Sequence, residues 1–154
     1  MWLPRRGGRS IIGPMEGAPE VYDAAVAGLA DVAREFGHHA GRHWFSGVVP
    51  DHENAAITVY RVPNPGFDSE LLTLLAGDVA VHLADAPHSR DELLAARDQA
   101  WGLADLLPIT AISIPPDGTR ITVVADAPPD VVQAELDRIA PGLATVLVEH
   151  VATT

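Results

Sequence analysis

Three histidines are the first residues whose type and spacing could support chemistry. His38, His39 and His43 lie close together in the chain, and imidazole is a common ligand of zinc and nickel. If the preceding helix continued, His39 and His43 would share one of its faces. Gly37 and Gly41 argue against that continuation, and no carboxylate lies at a familiar ligand spacing. We therefore interpret the segment as a polar loop, with these histidines as the candidates if a metal binds, and we assign no metal and no cofactor.

The residue types of a hydrolytic triad are also present, as His43, Ser46 and Asp51. His43 and Ser46 are separated by an odd number of residues, so a strand would point them to opposite faces. No Gly-x-Ser-x-Gly motif marks a nucleophile. We interpret His82 and His88 as surface residues beside a loop. The sequence therefore predicts no catalytic residue, and we expect a protein that is not an enzyme.

The composition excludes several classes of function. The 154 residues carry a formal net charge of −11, which opposes binding to nucleic acid. Without cysteine there are no disulfides, thiolate metal sites or cysteine nucleophiles, and without lysine there is no Schiff base or P-loop. No apolar run approaches the ~20 residues that cross a membrane. We predict neither nucleic acid nor membrane as a partner.

The elements that must position any site follow from the hydrophobic periodicity. Residues 1–18 lack periodicity and a signal-peptide pattern, and we predict a flexible tail. The compartment is left open between the cytosol and export directed by an upstream leader. The remainder predicts two lobes, residues 19–86 and 87–154, each with the order αββαβ. The expected fold is α+β, and each lobe has a small three-stranded mixed or antiparallel sheet with helices on one face.

Repeated residues support an internal duplication. The sequence Gly28-Leu29-Ala30-Asp31 is matched by Gly102-Leu103-Ala104-Asp105, and Ile57-Thr58-Val59 is matched by Ile121-Thr122-Val123. The predicted strands cover residues 43–49, 56–62, 79–84, 109–114, 119–125 and 143–151.

Local signals predict how the second lobe is built. Ser89 and Glu92 have the spacing of a capping box at the start of a long helix. Trp101 lies in the apolar stripe of that helix, so we expect it in the core. Pro116-Asp117-Gly118 predicts a tight turn between two strands.

These patterns resemble the prodomain of secreted actinobacterial serine proteases, the group of alpha-lytic protease and the streptogrisins. The resemblance rests on the segment Ser89–Leu94, the amphipathic helix that follows, the hairpin Ile109–Val124 and the closing strand, and it extends over about residues 19–150. It implies a non-catalytic partner of a trypsin-like serine protease. In that family the prodomain assists folding of the protease and then inhibits it.

The resemblance also implies where the partner would bind. The C-terminal strands would pair with a hairpin of the protease, and the C-terminal tail would enter its active-site cleft. The residues implied are Ile112, Ile114, Ile121, Val123, Val148, His150, Val151, Ala152, Thr153 and Thr154.

Two other functions stay open. One is a cytosolic regulatory domain that binds a small ligand between its two halves. The other is an enzyme that uses a metal at the histidine-rich segment. The sequence does not identify the partner, the ligand or the oligomeric state.

Overall fold

A computed structural model describes residues 19–148, with side chains described from residue 23 to residue 147. This part of the chain forms two lobes of the same design, and the fold class is α+β as predicted. The first lobe consists of α1 (Pro19–His38), β1 (Phe45–Asp51), β2 (Ala56–Arg61), α2 (Pro65–Leu74) and β3 (Ala80–Asp85). The second lobe consists of α3 (Arg90–Trp101), β4 (Ile109–Ser113), β5 (Ile121–Ala125), α4 (Pro129–Ile139) and β6 (Ala144–Val148).

The two sheets have the same topology. Their strand orders are β1-β2-β3 and β4-β5-β6. In each, the first two strands are antiparallel and the third pairs parallel with the central strand. The register of the hairpin shifts near the start of its first strand in both lobes, between Phe45 and Gly47 and between Ile109 and Ala111. The predicted repeat is therefore present in the backbone down to an irregularity at an equivalent place.

Helical spacing of apolar residues explains the first core. Val26, Ala30 and Ala33 are buried on one face of α1. Phe67 and Leu71 do the same on α2, and both helices cover β2 at Ile57 and Val59. Each fully buried large apolar side chain contributes about 2 kcal/mol to folding.

The second core repeats the scheme with different residues. Leu93, Ala96 and Ala100 of α3 pack with Val132 and Leu136 of α4 against the central strand β5. The two cores share no residue, so each lobe has its own apolar interior.

The prediction that Trp101 belongs to the core is wrong. The helix ends at Trp101, and Gly102 begins a tight turn in which backbone bonds of the 3₁₀ type carry the chain onward. That turn places Leu103 in the core, and Trp101 keeps 41% of its surface exposed.

Hydrogen bonds at the ends of elements explain where they begin. The capping box of α3 is formed as predicted: Glu92 N–H donates to Ser89 Oγ over 3.2 Å, and Ser89 N–H donates to Glu92 Oε1 over 3.0 Å. The leucines of the segment around α2 predict a short helix near residues 68–76. Helix α2 instead starts at Pro65, because Asn64 Oδ1 accepts from Phe67 N–H at 2.9 Å.

Several strand bounds also differ from the prediction. Strand β1 starts at Phe45 and not at His43, because Trp44 and Phe45 donate their N–H groups to Gly41 O in a turn. The last strand is described from Ala144 to Val148, and the rest of its predicted length lies outside the described residues.

The first core contains one charged side chain. Arg61 faces inward on β2 and donates two hydrogen bonds to Asp68, of 2.7 and 2.9 Å, and one of 2.6 Å to Asp85. These hydrogen bonds, led by those to Asp68, hold the pKa of the guanidinium above its usual range. Arg61 therefore joins the start of α2 to the end of β3.

Over residues 19–148, none of the helices combines the length and the apolar character that crossing a membrane requires.

Candidate functional site

The three histidines of the predicted metal candidate do not converge. His38 is the last residue of α1, and its ring meets Phe45 edge-on with 5.6 Å between centroids. His39 Nε2 lies 3.3 Å from Glu35 Oε1 on the surface, and His43 is exposed in the turn that follows. Within the described part of the chain, no three histidine, aspartate or glutamate side chains are grouped closely enough to hold a metal ion.

Ser46 has a structural contact. Its side chain is fully buried, and its hydroxyl donates to the carbonyl oxygen of His88, which belongs to the other lobe. Asp51 accepts hydrogen bonds from Asn54, and the bond from the Asn54 side chain holds the pKa of that carboxyl below its usual range. Ser46 and Asp51 thus have separate structural roles, and no pattern in the sequence predicted the hydrogen bond between Ser46 and His88.

The turn between β4 and β5 forms the other half of the contact between the lobes. Gly118 has φ of +72°, and a Cβ atom there would lie 2.6 Å from both His88 O and Ser46 Oγ. A Cβ on Gly47 of β1 would lie 2.5 Å from the backbone of Pro116. A Cβ atom on Gly47 would enter the backbone of the other lobe, and one on Gly118 would collide with the Ser46 hydroxyl and with His88 O, so both places require glycine.

A cavity of about 140 Å³ opens beside this contact, and we call it the interlobe cavity. Its polar lining is basic: Arg34 and His38 come from α1, and Arg90 comes from the start of α3. A second cavity of about 250 Å³ shares His38 and Arg90 and adds Arg42. Burial and the charge of Arg90 lower the pKa of His38.

The second-lobe sheet has one face turned away from its helices, which we call the open face. Cross-strand pairing places two rows of residues there. One row is Ala111, Val124 and Leu147, and the other is Ser113, Thr122 and Thr145. None of these six residues is charged, and Leu147 is 57% exposed. In the first lobe the corresponding face is covered at Gly47 by Pro116.

The residues predicted to bind a partner are only partly in suitable positions. Ile121 and Val123 are fully buried beneath the helices. Their strand β5 is paired on both edges, so neither these two buried side chains nor the main chain of β5 can reach a partner. We therefore remove Ile121 and Val123 from the predicted surface. Ile112 is half-buried opposite Val123, and Ile114 lines the interlobe cavity.

The remaining predicted contact residues cannot be located. His150, Val151, Ala152, Thr153 and Thr154 lie outside the described residues, as does the side chain of Val148. Their role in binding a protease cleft stays a prediction.

The two edges of the second-lobe sheet differ in their availability. On the β6 side, Gln133 of α4 accepts from Val146 N–H and donates to Ala144 O, each at 3.1 Å. An edge whose polar groups are already bonded to a side chain is poorly disposed to accept another strand. Along β4, no described side chain donates to or accepts from the main chain of Ile109–Ser113 at its outer edge. The free edge of the sheet is therefore β4.

Sequence reasoning could have found part of the basic lining. Arg34 and His38 are four residues apart on a helix, which places them on one face. Arg90 gave no such signal, because Arg34 and His38 lie in the other lobe. Gln133 gave none either, because its contacts with the main chain of β6 run from a helix to a strand.

Comparison with known proteins places the chain in no family: no family model matches it, and the search of curated proteins returns no match.

Proposed function

We propose that the chain is a non-catalytic protein-interaction module that adds the free β4 edge of its second lobe to an extended strand of a partner protein. The observation that carries this proposal is the asymmetry of the sheet, in which Gln133 occupies the β6 edge and leaves β4 open. Strand addition supplies main-chain hydrogen bonds with little demand on sequence.

The open face supports the same proposal. Ala111, Val124 and Leu147 form an apolar row across the three strands. A strand added beside β4 would place one of its own side chains next to Ala111 and so continue that row. Side chains on neighbouring strands stabilise a sheet when they pack together, so this contact would favour binding. The chain has a net charge of −11, yet this face carries no charge. An exposed apolar row on such a chain is typical of a surface that contacts another protein.

The resemblance to protease prodomains favours a trypsin-like serine protease as that partner. Its hairpin would pair with β4, and the C-terminal residues would extend toward its active-site cleft.

The test is inhibition of streptogrisin-type and alpha-lytic-type proteases by the purified chain. We expect a stoichiometric complex in size-exclusion chromatography and a loss of hydrolysis of a chromogenic peptide. Ala111→Lys places a charge at the free edge and should weaken inhibition about tenfold, which corresponds to about 1.4 kcal/mol.

Ala76→Lys is the matched control, because Ala76 is an exposed alanine of the first lobe and the change in charge is identical. It should inhibit like the unmodified chain. If no protease of the panel forms a complex, or if both variants inhibit equally, the proposal is wrong.

A further inference from the structure

The interlobe cavity concentrates positive charge in an acidic protein. The chain has 21 acidic and 10 basic residues. Even so, Arg34, Arg90 and His38 line one cavity of about 140 Å³, and Arg42 lines the cavity beside it. Both lobes contribute, so the site depends on the contact between them, of which the bond from Ser46 to His88 O is one part.

The charges of this cavity are incompletely balanced by the protein. Arg34 pairs with Asp31 at 2.9 Å on the outer side of α1, and Arg42 lies 3.7 Å from Asp91. Among the side chains that the structure describes, Arg90 has no carboxylate within ion-pair distance. Like charges held close together in a partly desolvated site are unfavourable, and an anion between them would relieve that repulsion.

The chemistry of the lining selects the kind of anion. A guanidinium presents a planar fork of N–H groups that matches the oxygens of a phosphate or a carboxylate. The walls beside these groups, Phe45 and Pro116, are apolar and exclude water from one side.

We propose that the interlobe cavity binds a small oxyanion, a metabolite that carries a phosphate or carboxylate group, through Arg34, Arg90 and His38. This proposal does not depend on strand pairing, because the cavity and the β4 edge use different residues.

The test follows the His38 ring by NMR in the full chain. Without an anion, we expect the pKa of His38 below its ordinary value of about 6.5. Burial and the charge of Arg90 disfavour the imidazolium, His39 and Arg34 add to this effect, and Glu35 only partly offsets it. An anion bound in the cavity favours the charged imidazolium, so added sodium phosphate or sodium succinate should raise that pKa. Sodium chloride at equal ionic strength should raise it less.

Variants separate binding from general screening. Arg90→Gln should weaken the apparent affinity about tenfold or more, since it removes a charge-assisted hydrogen bond. It should also raise the pKa of His38 before any anion is added. Arg34→Gln tests the same site from the other lobe. Arg138→Gln is the control, because Arg138 pairs with Glu135 on the exposed face of α4.

If phosphate raises the pKa of His38 more than succinate does, the ligand carries a phosphate group. If succinate raises it more, the ligand carries a carboxylate. The proposal is overturned if chloride acts as strongly as both anions, or if Arg90→Gln and Arg34→Gln respond like the unmodified chain.

Discussion

Arg61 marks a difference between the cores of two lobes that share one topology. It occupies the inward-facing position of β2 that Ala125 occupies in β5. In the second lobe the methyl group of Ala125 closes this end of the core. In the first lobe the Arg61 side chain does so, and it is only 10% exposed. A buried charge is tolerated because Asp68 and Asp85 neutralise it and accept its hydrogen bonds.

The two carboxylates should contribute unequally to stability. Asp68 is 22% exposed and bonds to Arg61 through both oxygens, whereas Asp85 is 80% exposed and provides one bond. We expect Asp68→Ala to lower the free energy of unfolding by about 2–3 kcal/mol, below the value for a fully buried pair. Asp85→Ala should cost less than about 1 kcal/mol, because solvent screens that pair.

Urea denaturation of the two variants measures this difference. Equal losses would mean that solvent exposure does not decide the strength of these pairs. The alternation of β2 could have indicated that Arg61 points inward. The identity of its partners could not be predicted, because they approach only when α2 and β3 fold against the strand.

The β4–β5 turn closes a hairpin of the second lobe and also packs against the first lobe. Its Pro-Asp-Gly sequence was sufficient to predict the turn, and Gly118 does adopt positive φ. The same sequence says nothing of Ser46, which meets the turn from the first lobe, or of His88, which meets it from the segment just before α3. Local chemistry thus predicted the conformation of the turn and not its contact.

Two glycines allow the contact of this turn with the first lobe to be measured. Gly118 and Gly142 have φ of +72° and +78°, so alanine at either would cost about 1–2 kcal/mol in backbone strain. At Gly142 an added Cβ would meet nothing within 4 Å, whereas at Gly118 it would overlap His88 O, Ser46 Oγ and Ala86 Cβ. We expect Gly118→Ala to cost about 1–3 kcal/mol more than Gly142→Ala.

The measurement is the urea midpoint of each variant, with NMR shifts of Ser46 and His88 as a second readout. Equal destabilisation by the two substitutions, with unchanged shifts, would contradict the description of the lobe contact.

Periodicity and turn chemistry predicted the order of the elements and a three-stranded sheet in each lobe, but they left open which strand the third one pairs with. They were less successful at the ends of elements, as Phe45 and Pro65 show, because hydrogen bonds to Gly41 and Asn64 decide where those elements begin. The prediction that Trp101 lies in the core failed for a related reason. A helical stripe was extended beyond the point at which Gly102 starts a turn.

At the scale of the whole molecule, the two lobes share a topology but expose different surfaces. The first lobe has its open sheet face covered at Gly47 by Pro116, and it contributes Arg34 and His38 to the interlobe cavity. The second lobe keeps an uncharged sheet face and the free β4 edge. From the sequence, Arg34 and His38 could be placed on one helix face. The cavity that they line and the free edge could not be predicted, since both depend on contacts between residues far apart in the chain.

The proposed function requires that β4 pairs with a strand of a partner. Amide hydrogen exchange of the chain, alone and mixed with a trypsin-like serine protease, tests it most directly. We predict slower exchange across Ile109–Ser113 in the mixture, while the Val146 amide, already bonded to Gln133, exchanges as before. Unchanged exchange across β4, or protection confined to the first lobe, would contradict the account.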